Sequence, residues 1–525
     1  MCNFVPSNML TILQNMTRAT LSAVFALLFS LAPANAATRQ KGPGCWRTAT
    51  ARQKAAARMA VKRPVDIGER TNYRGQKRGL VILAEFSDTK FKDTHDRAKY
   101  NDILNSPGYT TNEGFRGSVA DYFRDQSAGL FELQFDVVGP YTTKHSYRYY
   151  GKNDDEGLDL YPQDMIEEMC IAADGEVDFT NYDWDGDGIV DEVFVLYAGK
   201  GEADNTPSKP DLVWPHMWTL SEANGAPLRL DGVDIDVYAC ANELAADGTI
   251  NGIGTFCHEF SHCMGFPDFY DINYGDSYGM GDYDLMSGGN YAGNGFLPVG
   301  YTAYEKMVCG WQEPIVLGHE DVSVDSLKPI SEHGDTYIIY NDGCPDEYYM
   351  IENRQRTGWD VRYPSRGLLI THVDFDAEVW FNNIPNTIMT DEEAYEMELT
   401  CGNDHQRMTF FHADNTEDGY STRTDLYPYG TRDSLTTTSR PAAKLFNNNS
   451  EGQKLMQGAI LNIKQNSDGT MAFSYRAPKT TANAITQHPA PDTQHPTTIY
   501  DLTGRRVSRP VRGLYIVGGR KVVVR

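Results

Sequence analysis

The stretch that decides the fold runs Cys257-His258-Glu259-Phe260-Ser261-His262-Cys263-Met264-Gly265-Phe266-Pro267-Asp268. Ile253, Phe256, Phe260 and Met264, with Cys257, recur at helical spacing and mark the apolar face of a helix. Residues four apart on a helix emerge one above the other. His258 and His262 therefore present both imidazoles on one side, where they can share a single metal ion. Glu259 stands beside them, placed to take a proton from an attacking water. Gly265 sits where a helix ends in a left-handed turn, and Pro267 blocks its continuation. The chain must bend there, which brings Asp268 back as a candidate third ligand. Two neutral imidazoles, one carboxylate and an open fourth position suit zinc. Zinc brings the pKa of a bound water to ~7, so a nucleophile exists near neutral pH and Glu259 can act as its general base.

Working outward, Leu80-Val81-Ile82-Leu83-Ala84-Glu85-Phe86 reads as a buried strand. Ser118-Val119-Ala120-Asp121 is a capping-box pattern that opens a helix, and Gly129 can close it. Phe131, Leu133, Phe135 and Val137 alternate with polar residues as a half-buried strand. Met165, Ile166, Met169 and Cys170 return to helical spacing, and Val193–Tyr197 is again strand-like. Strands and helices are intermixed, which predicts an α+β domain over 77–315. From 316 to 476 short apolar segments alternate with turn residues, predicting a β-rich, sandwich-like region. Residues 477–497 are rich in Pro, Thr and Gln without periodicity and read as a linker. The tail 498–525 holds two strand-like pieces and ends in Lys521-Val522-Val523-Val524-Arg525.

The chain is 525 residues long and acidic, with 72 Asp plus Glu against 47 Lys plus Arg. No broad basic face is available for phosphates, so a nucleic-acid partner is excluded. The balance suits an extracellular, calcium-binding protein. The front of the chain is different. Residues 37–76 form a basic leader in which only Asp66 and Glu69 oppose many Lys and Arg, and they read as a candidate propeptide. Before it, Arg18 precedes the apolar run Leu21–Ala32, and Ala34-Asn35-Ala36 supplies a small-residue cleavage site. This predicts a secretory signal peptide over 1–36 and places the mature protein outside the cell or at its surface. No later stretch reaches the ~20 apolar residues of a membrane span. Of nine cysteines, the eight that follow the signal peptide are even in number. That permits disulfides in an exported chain, but their scatter defines no framework.

A second constellation is Asp183-Trp184-Asp185-Gly186-Asp187-Gly188-Ile189-Val190-Asp191-Glu192. Asp183, Asp185 and Asp187 lie at alternate positions and can converge on one cation. Gly188 permits the turn, and Asp191 closes the ring. A full EF-hand needs Glu where Phe194 stands, so the pattern predicts a shorter, structural calcium loop.

HExxHxxGxxD followed by Asp284-Leu285-Met286-Ser287-Gly288-Gly289-Asn290-Tyr291 resembles the immune-inhibitor-A-like metallopeptidases of bacteria, which are zincins related to the metzincins. The resemblance implies a zincin fold, with zinc on His258, His262 and Asp268, Glu259 as general base, and Met286 as the Met-turn residue beneath the metal. Asp268 stands where most metzincins carry a third His. Gly79–Phe86, Gly117–Ser127, Trp214-Pro215-His216, Tyr348–Arg354 and Gly367–Asp374 extend the resemblance over roughly 77–475. Ile499-Tyr500-Asp501-Leu502-Thr503-Gly504-Arg505-Arg506-Val507 and Gly513-Leu514-Tyr515-Ile516 resemble the C-terminal sorting signals of type IX secretion, implying a partner in the secretion machinery.

Taken together, the residues point to a secreted zinc-dependent endopeptidase acting on protein or peptide substrates. One rival is a non-enzymatic, calcium-stabilised surface or adhesin protein with a vestigial zincin fold, and the intact Glu259 argues against it. The other is a zinc hydrolase acting on a non-peptide amide.

Overall fold

The computed structural model describes residues 73–479, except 155–156, 204–210, 276, 398 and 420–421, together with four strand segments between 499 and 524. The signal peptide over 1–36, the basic leader as far as residue 72 and most of the linker lie outside the described residues. The chain falls into one compact unit ending at Ala477 and a second, Pro478–Arg525.

The first unit is built on a mixed sheet. It contains β1 (Gly75–Glu85), β2 (Phe131–Thr142), β3 (Val193–Lys200), β4 (His216–Thr219) and β5 (Val237–Leu244), in the order β2-β1-β3-β5-β4. The first four strands of that order run parallel, and β4 is an antiparallel edge. Parallel neighbours need long crossovers. Here α1 (Arg97–Asn105) and α2 (Val119–Gln126) lie between β1 and β2, and α3 (Pro162–Ala173) between β2 and β3. Helix α2 begins with the expected capping box. Ser118 Oγ accepts from the Asp121 N–H, and Asp121 Oδ2 accepts from the Ser118 N–H.

Strand periodicity separates the two faces of this sheet. Val81 and Leu83 of β1, Phe194 and Leu196 of β3, and Ala239 and Ala241 of β5 share one buried cluster with α2 and α4 (Gly254–Cys263). The intervening residues Leu80, Ile82, Val193, Val195, Tyr238 and Cys240 point to the opposite face, against α3. Leu80 through Ala84 are fully buried, so the continuous apolar run follows from burial on both faces.

After α5 (Ala303–Val308) the chain forms β6 (Ile315–Val316), β7 (Val322–Leu327), β8 (Tyr337–Asn341), β9 (Cys344–Arg354), β10 (Gly367–Asp374), α6 (Ala377–Phe381), β11 (Met408–Phe410), β12 (Ala459–Gln465) and β13 (Met471–Arg476). One sheet has the order β11-β10-β9-β8-β6, and the other β7-β13-β12. Tyr337, Ile339, Tyr349, Ile351, Leu368 and Ile370 face the three-stranded sheet across a cluster containing Ile460, Met471 and Phe473. The alternate residues Ile338, Tyr348, Met350 and Leu369 enter the cluster that holds α4. The five-stranded sheet thus has both faces buried. Apolar packing also runs straight across the 315/316 boundary expected from the change in sequence character.

Arg354, fully buried at the end of β9, reinforces that junction. Its guanidinium donates to Glu352, to Asp360 and to the carbonyls of Gly300 and Tyr301. A buried cation needs this many acceptors, because desolvation is otherwise too costly.

The second unit contains β14 (Ile499–Tyr500), β15 (Arg506–Val507), β16 (Gly513–Val517) and β17 (Arg520–Val524). They form an antiparallel sheet in the order β15-β14-β16-β17. Four strand segments stand where the sequence suggested two.

Candidate active site

Helix α4 is fixed to the central sheet by aromatic rings. Phe256 stacks on Phe194 with centroids 3.8 Å apart, Phe135 meets Phe256 edge-on at 5.6 Å, and Phe123 lies 4.9 Å from Phe260. Such pairs contribute roughly 0.5–1.5 kcal/mol each beyond the area they bury. At the helix start, a Cβ on Gly254 would lie 1.9 Å from the Asn290 carbonyl oxygen, so only glycine allows this approach. His258, Glu259 and His262 are buried, and helical spacing puts His258 and His262 on the side away from Phe256 and Phe260.

The helix ends as the sequence predicts. Gly265 adopts φ 94°, and the Phe266 N–H donates to the Ser261 carbonyl. Two residues later Asp268 returns, fully buried, to face both histidines. Its Oδ1 lies 3.2 Å from His258 Nε2 and 3.3 Å from His262 Nε2, and the two Nε2 atoms are 3.2 Å apart.

The tautomers follow from the outer nitrogens. His258 Nδ1 lies 2.8 Å from the Leu285 carbonyl oxygen, and His262 Nδ1 lies 2.6 Å from that of Phe266. A carbonyl can only accept, so each Nδ1 carries a proton, and with the imidazole neutral, as a metal ligand must be, each Nε2 directs a lone pair inward. Two lone pairs and a carboxylate oxygen therefore converge, and Asp268 Oδ1 is buried with no hydrogen bond. A cation resolves that arrangement. A tetrahedral zinc ion with bonds near 2.0–2.1 Å separates its donors by about 3.3 Å, close to the spacing found here. The donor set therefore fits zinc.

The electrostatics agree with a cation site. Burial by itself would raise the Asp268 carboxyl pKa, but the two imidazoles hold it well below the usual carboxylate range. Burial opposes charge on His258 as well. Asp268, Glu259 and the Leu285 carbonyl outweigh that and push it up to about 9, so the site favours a positive charge between these groups: a proton on His258 Nε2, or a metal ion that displaces it.

Met286 is fully buried in the turn that holds His258 from behind. Its N–H donates to Asp284 Oδ1, and its carbonyl accepts from the Phe269 N–H. Tyr291 is 54% exposed. His216 sits between the Trp214 carbonyl and the Tyr238 hydroxyl, and His372 pairs with Glu347, so both have structural partners.

Sequence reasoning missed Asn383. Its Oδ1 accepts from the Asp268 N–H at 2.6 Å, and its Nδ2 donates to Asp268 Oδ2 at 2.8 Å. Asn383 is 115 positions downstream, and no local spacing connects it to the motif.

At the second constellation, Asp183, Asp185 and Asp187 bring carboxylate oxygens within 4.8 Å of one another. Asp183 is held by the N–H groups of Gly186, Asp187 and Gly188. Asp191 stands outside this group and accepts from the Trp184 N–H. Burial, opposed by that bond and reinforced by Asp185 and Asp183, pushes its pKa up to about 7. The described cysteines, Cys257 and Cys263 among them, are all free thiols. No helix among the described residues is long and apolar enough to cross a membrane.

Comparison with known proteins bears on residues 71–309, which match the family described as immune inhibitor A peptidase M6, catalytic domain. That range holds α4 and Asp268 and stops short of the downstream sheets. The chain is 26% identical over 320 residues to immune inhibitor A of Bacillus thuringiensis subsp. alesti, covering 50% of this chain and 45% of the relative. It is 27% identical over 301 residues to the pre-pro-metalloprotease PrtV of Vibrio cholerae serotype O1, covering 48% and 32%. The chain thus spans less than half the length of these curated relatives. The part that carries the His258–Asp268 constellation is similar to the catalytic domain of the M6 metallopeptidases.

Proposed function

We propose that the protein is a zinc-dependent metalloendopeptidase that hydrolyses peptide bonds of protein substrates. The observation that carries this reading is the convergence of His258 Nε2, His262 Nε2 and Asp268 Oδ1, with both Nδ1 atoms occupied by carbonyls. His258, His262 and Asp268 would hold the metal. When bound, zinc would supply Lewis-acid activation of water and polarise the scissile carbonyl. Glu259, next to His258 on the same helical turn, takes the proton of the attacking water and returns it to the leaving amine. The turn through Asp284, Leu285 and Met286 keeps His258 in the required tautomer, and Met286 fills the space beneath it as a Met-turn residue. Similarity to proteins named as metalloproteases supports a peptide substrate over other amides. The vestigial-surface-protein reading finds no support in a site that keeps Glu259 and all three donors.

Two further parts of the proposal concern the protein's surroundings. Asp183, Asp185 and Asp187, with Asp191 beside them, form a loop suited to structural calcium. The signal-peptide pattern over 1–36 and the sorting-signal-like tail support export to the cell surface or beyond. The test of the central claim is casein hydrolysis by the purified protein, with and without chelator, beside Glu259→Ala. Hydrolysis that survives either treatment would overturn it.

A further inference from the structure

We propose that Asn383 is the positioning residue for Asp268, fixing which carboxylate oxygen faces the two histidines. The inference rests on the zinc reading above and extends it to a residue outside the motif and outside the segment that matches the M6 catalytic domain.

A carboxylate held only by its Cβ–Cγ bond can rotate and exchange its oxygens. Here rotation is blocked by two reciprocal bonds from one side chain. Asn383 Oδ1 accepts from the Asp268 main-chain N–H, and Asn383 Nδ2 donates to Asp268 Oδ2. The first bond fixes the amide orientation, since an N–H requires an acceptor opposite it, and the NH₂ group must then face the carboxylate. Oδ2 is thereby occupied and Oδ1 is left for the histidines. Asp268 is 0% and Asn383 1% exposed, so this pair is formed out of contact with bulk solvent.

The placement of Asn383 is itself built. Helix α6 is capped by Asp376, whose Oδ1 accepts from the N–H groups of Glu378 and Val379. After its last turn the Asn383 N–H donates to the Trp380 carbonyl, and the Ile384 N–H to that of Val379. Asn383 then adopts φ 58°, a left-handed conformation that Asn and Gly tolerate. Nearby, Asn386 Nδ2 donates to the Phe269 carbonyl and Thr387 Oγ1 accepts from the Ile272 N–H. Those bonds tether the loop beyond Asp268, but of Asn383, Asn386 and Thr387 only Asn383 bonds to the Asp268 carboxylate.

Two variants that fit the left-handed backbone separate positioning from simple tethering. Asn383→Asp keeps an acceptor for the Asp268 N–H but replaces the donor to Oδ2 with a repelling carboxylate. Asn383→Gly removes both bonds. Zinc affinity is measured by chelator competition, alongside thermal unfolding of the zinc-free proteins. Positioning predicts that zinc binding weakens 10–100-fold in Asn383→Asp and at least tenfold in Asn383→Gly. A purely structural tether predicts wild-type affinity in Asn383→Asp and loss only in Asn383→Gly, and that result overturns the proposal. If Asn383→Asp does not fold, Asn383→Gly decides through the visible spectrum of its cobalt(II) form. A coordination spectrum that changes while the zinc-free variant keeps the wild-type unfolding temperature supports the proposal, and an unchanged spectrum, or one that changes only with lost stability, overturns it. If the wild-type protein itself holds no zinc, the zinc reading fails first. If it holds zinc and both variants match it, only the role of Asn383 fails.

Discussion

At Gly265 the chain leaves α4 with φ 94°, and the position of Asp268 depends on that turn. A side chain is strained in this conformation, so Gly265→Ala should destabilise the protein by roughly 1–2 kcal/mol. The same substitution should weaken zinc binding, because Asp268 is only three residues on. Thermal unfolding and zinc titration measure the two effects separately, and lower stability with intact zinc affinity would detach the turn from the ligand. Glu259 makes the complementary case. Glu259→Gln keeps the shape of the side chain but cannot accept the proton. Catalytic efficiency on a peptide substrate should therefore fall by roughly 10²–10⁴-fold, with zinc content unchanged. Loss of zinc together with activity would reassign Glu259 from proton transfer to metal binding.

Among the elements, α4 is anchored by its aromatic face and the acidic loop by its bonded carboxylates. Phe256 is buried between Phe194 and Phe135. Its replacement by Ala leaves a cavity under α4 and should cost about 3–5 kcal/mol in denaturant unfolding. A cost below about 1 kcal/mol would mean that the helix is held from elsewhere. The acidic loop should respond to pH. The folded pKa of Asp191 lies near 7, above that of an unfolded aspartate at about 3.9. Its contribution is therefore fully present below about pH 4 and is lost as pH rises through about 7, with an upper bound of about 4 kcal/mol. Without divalent cations, unfolding temperature should fall between about pH 4 and 7, and Asp191→Asn should flatten that slope. Calcium should restore stability more at pH 8 than at pH 5, because Asp191 is then ionised beside the loop. An Asp191→Asn protein with the wild-type slope would show that another group is responsible.

For the whole molecule, the shared core matters most. Ile338, Met350 and Leu369 enter the cluster that supports α4, and Arg354 ties β9 to Gly300 and Tyr301. A fragment ending at residue 315 would expose that apolar face and lose Asn383 as well. It should lack fixed aromatic packing by near-ultraviolet circular dichroism and should not retain stoichiometric zinc. A well-packed, zinc-binding fragment would show that the two halves fold independently.

The sequence by itself determined the local chemistry. Helical periodicity places His258, Glu259 and His262 on one turn, and Gly265 with Pro267 sets the bend that returns Asp268. These relations span a few residues, where backbone geometry leaves little freedom. Alternation likewise exposed β2, and an unbroken apolar run exposed the buried β1. Only the tertiary structure decided the parallel order β2-β1-β3-β5, the two-faced burial of the five-stranded sheet and the pairing of Asn383 with Asp268. Each depends on which distant surfaces exclude water together, and periodicity reports that a face is buried without naming what covers it. Asn383 shows the limit clearly: an asparagine after a short helix carries no sign of its partner until the fold brings 115 residues of chain back to the site.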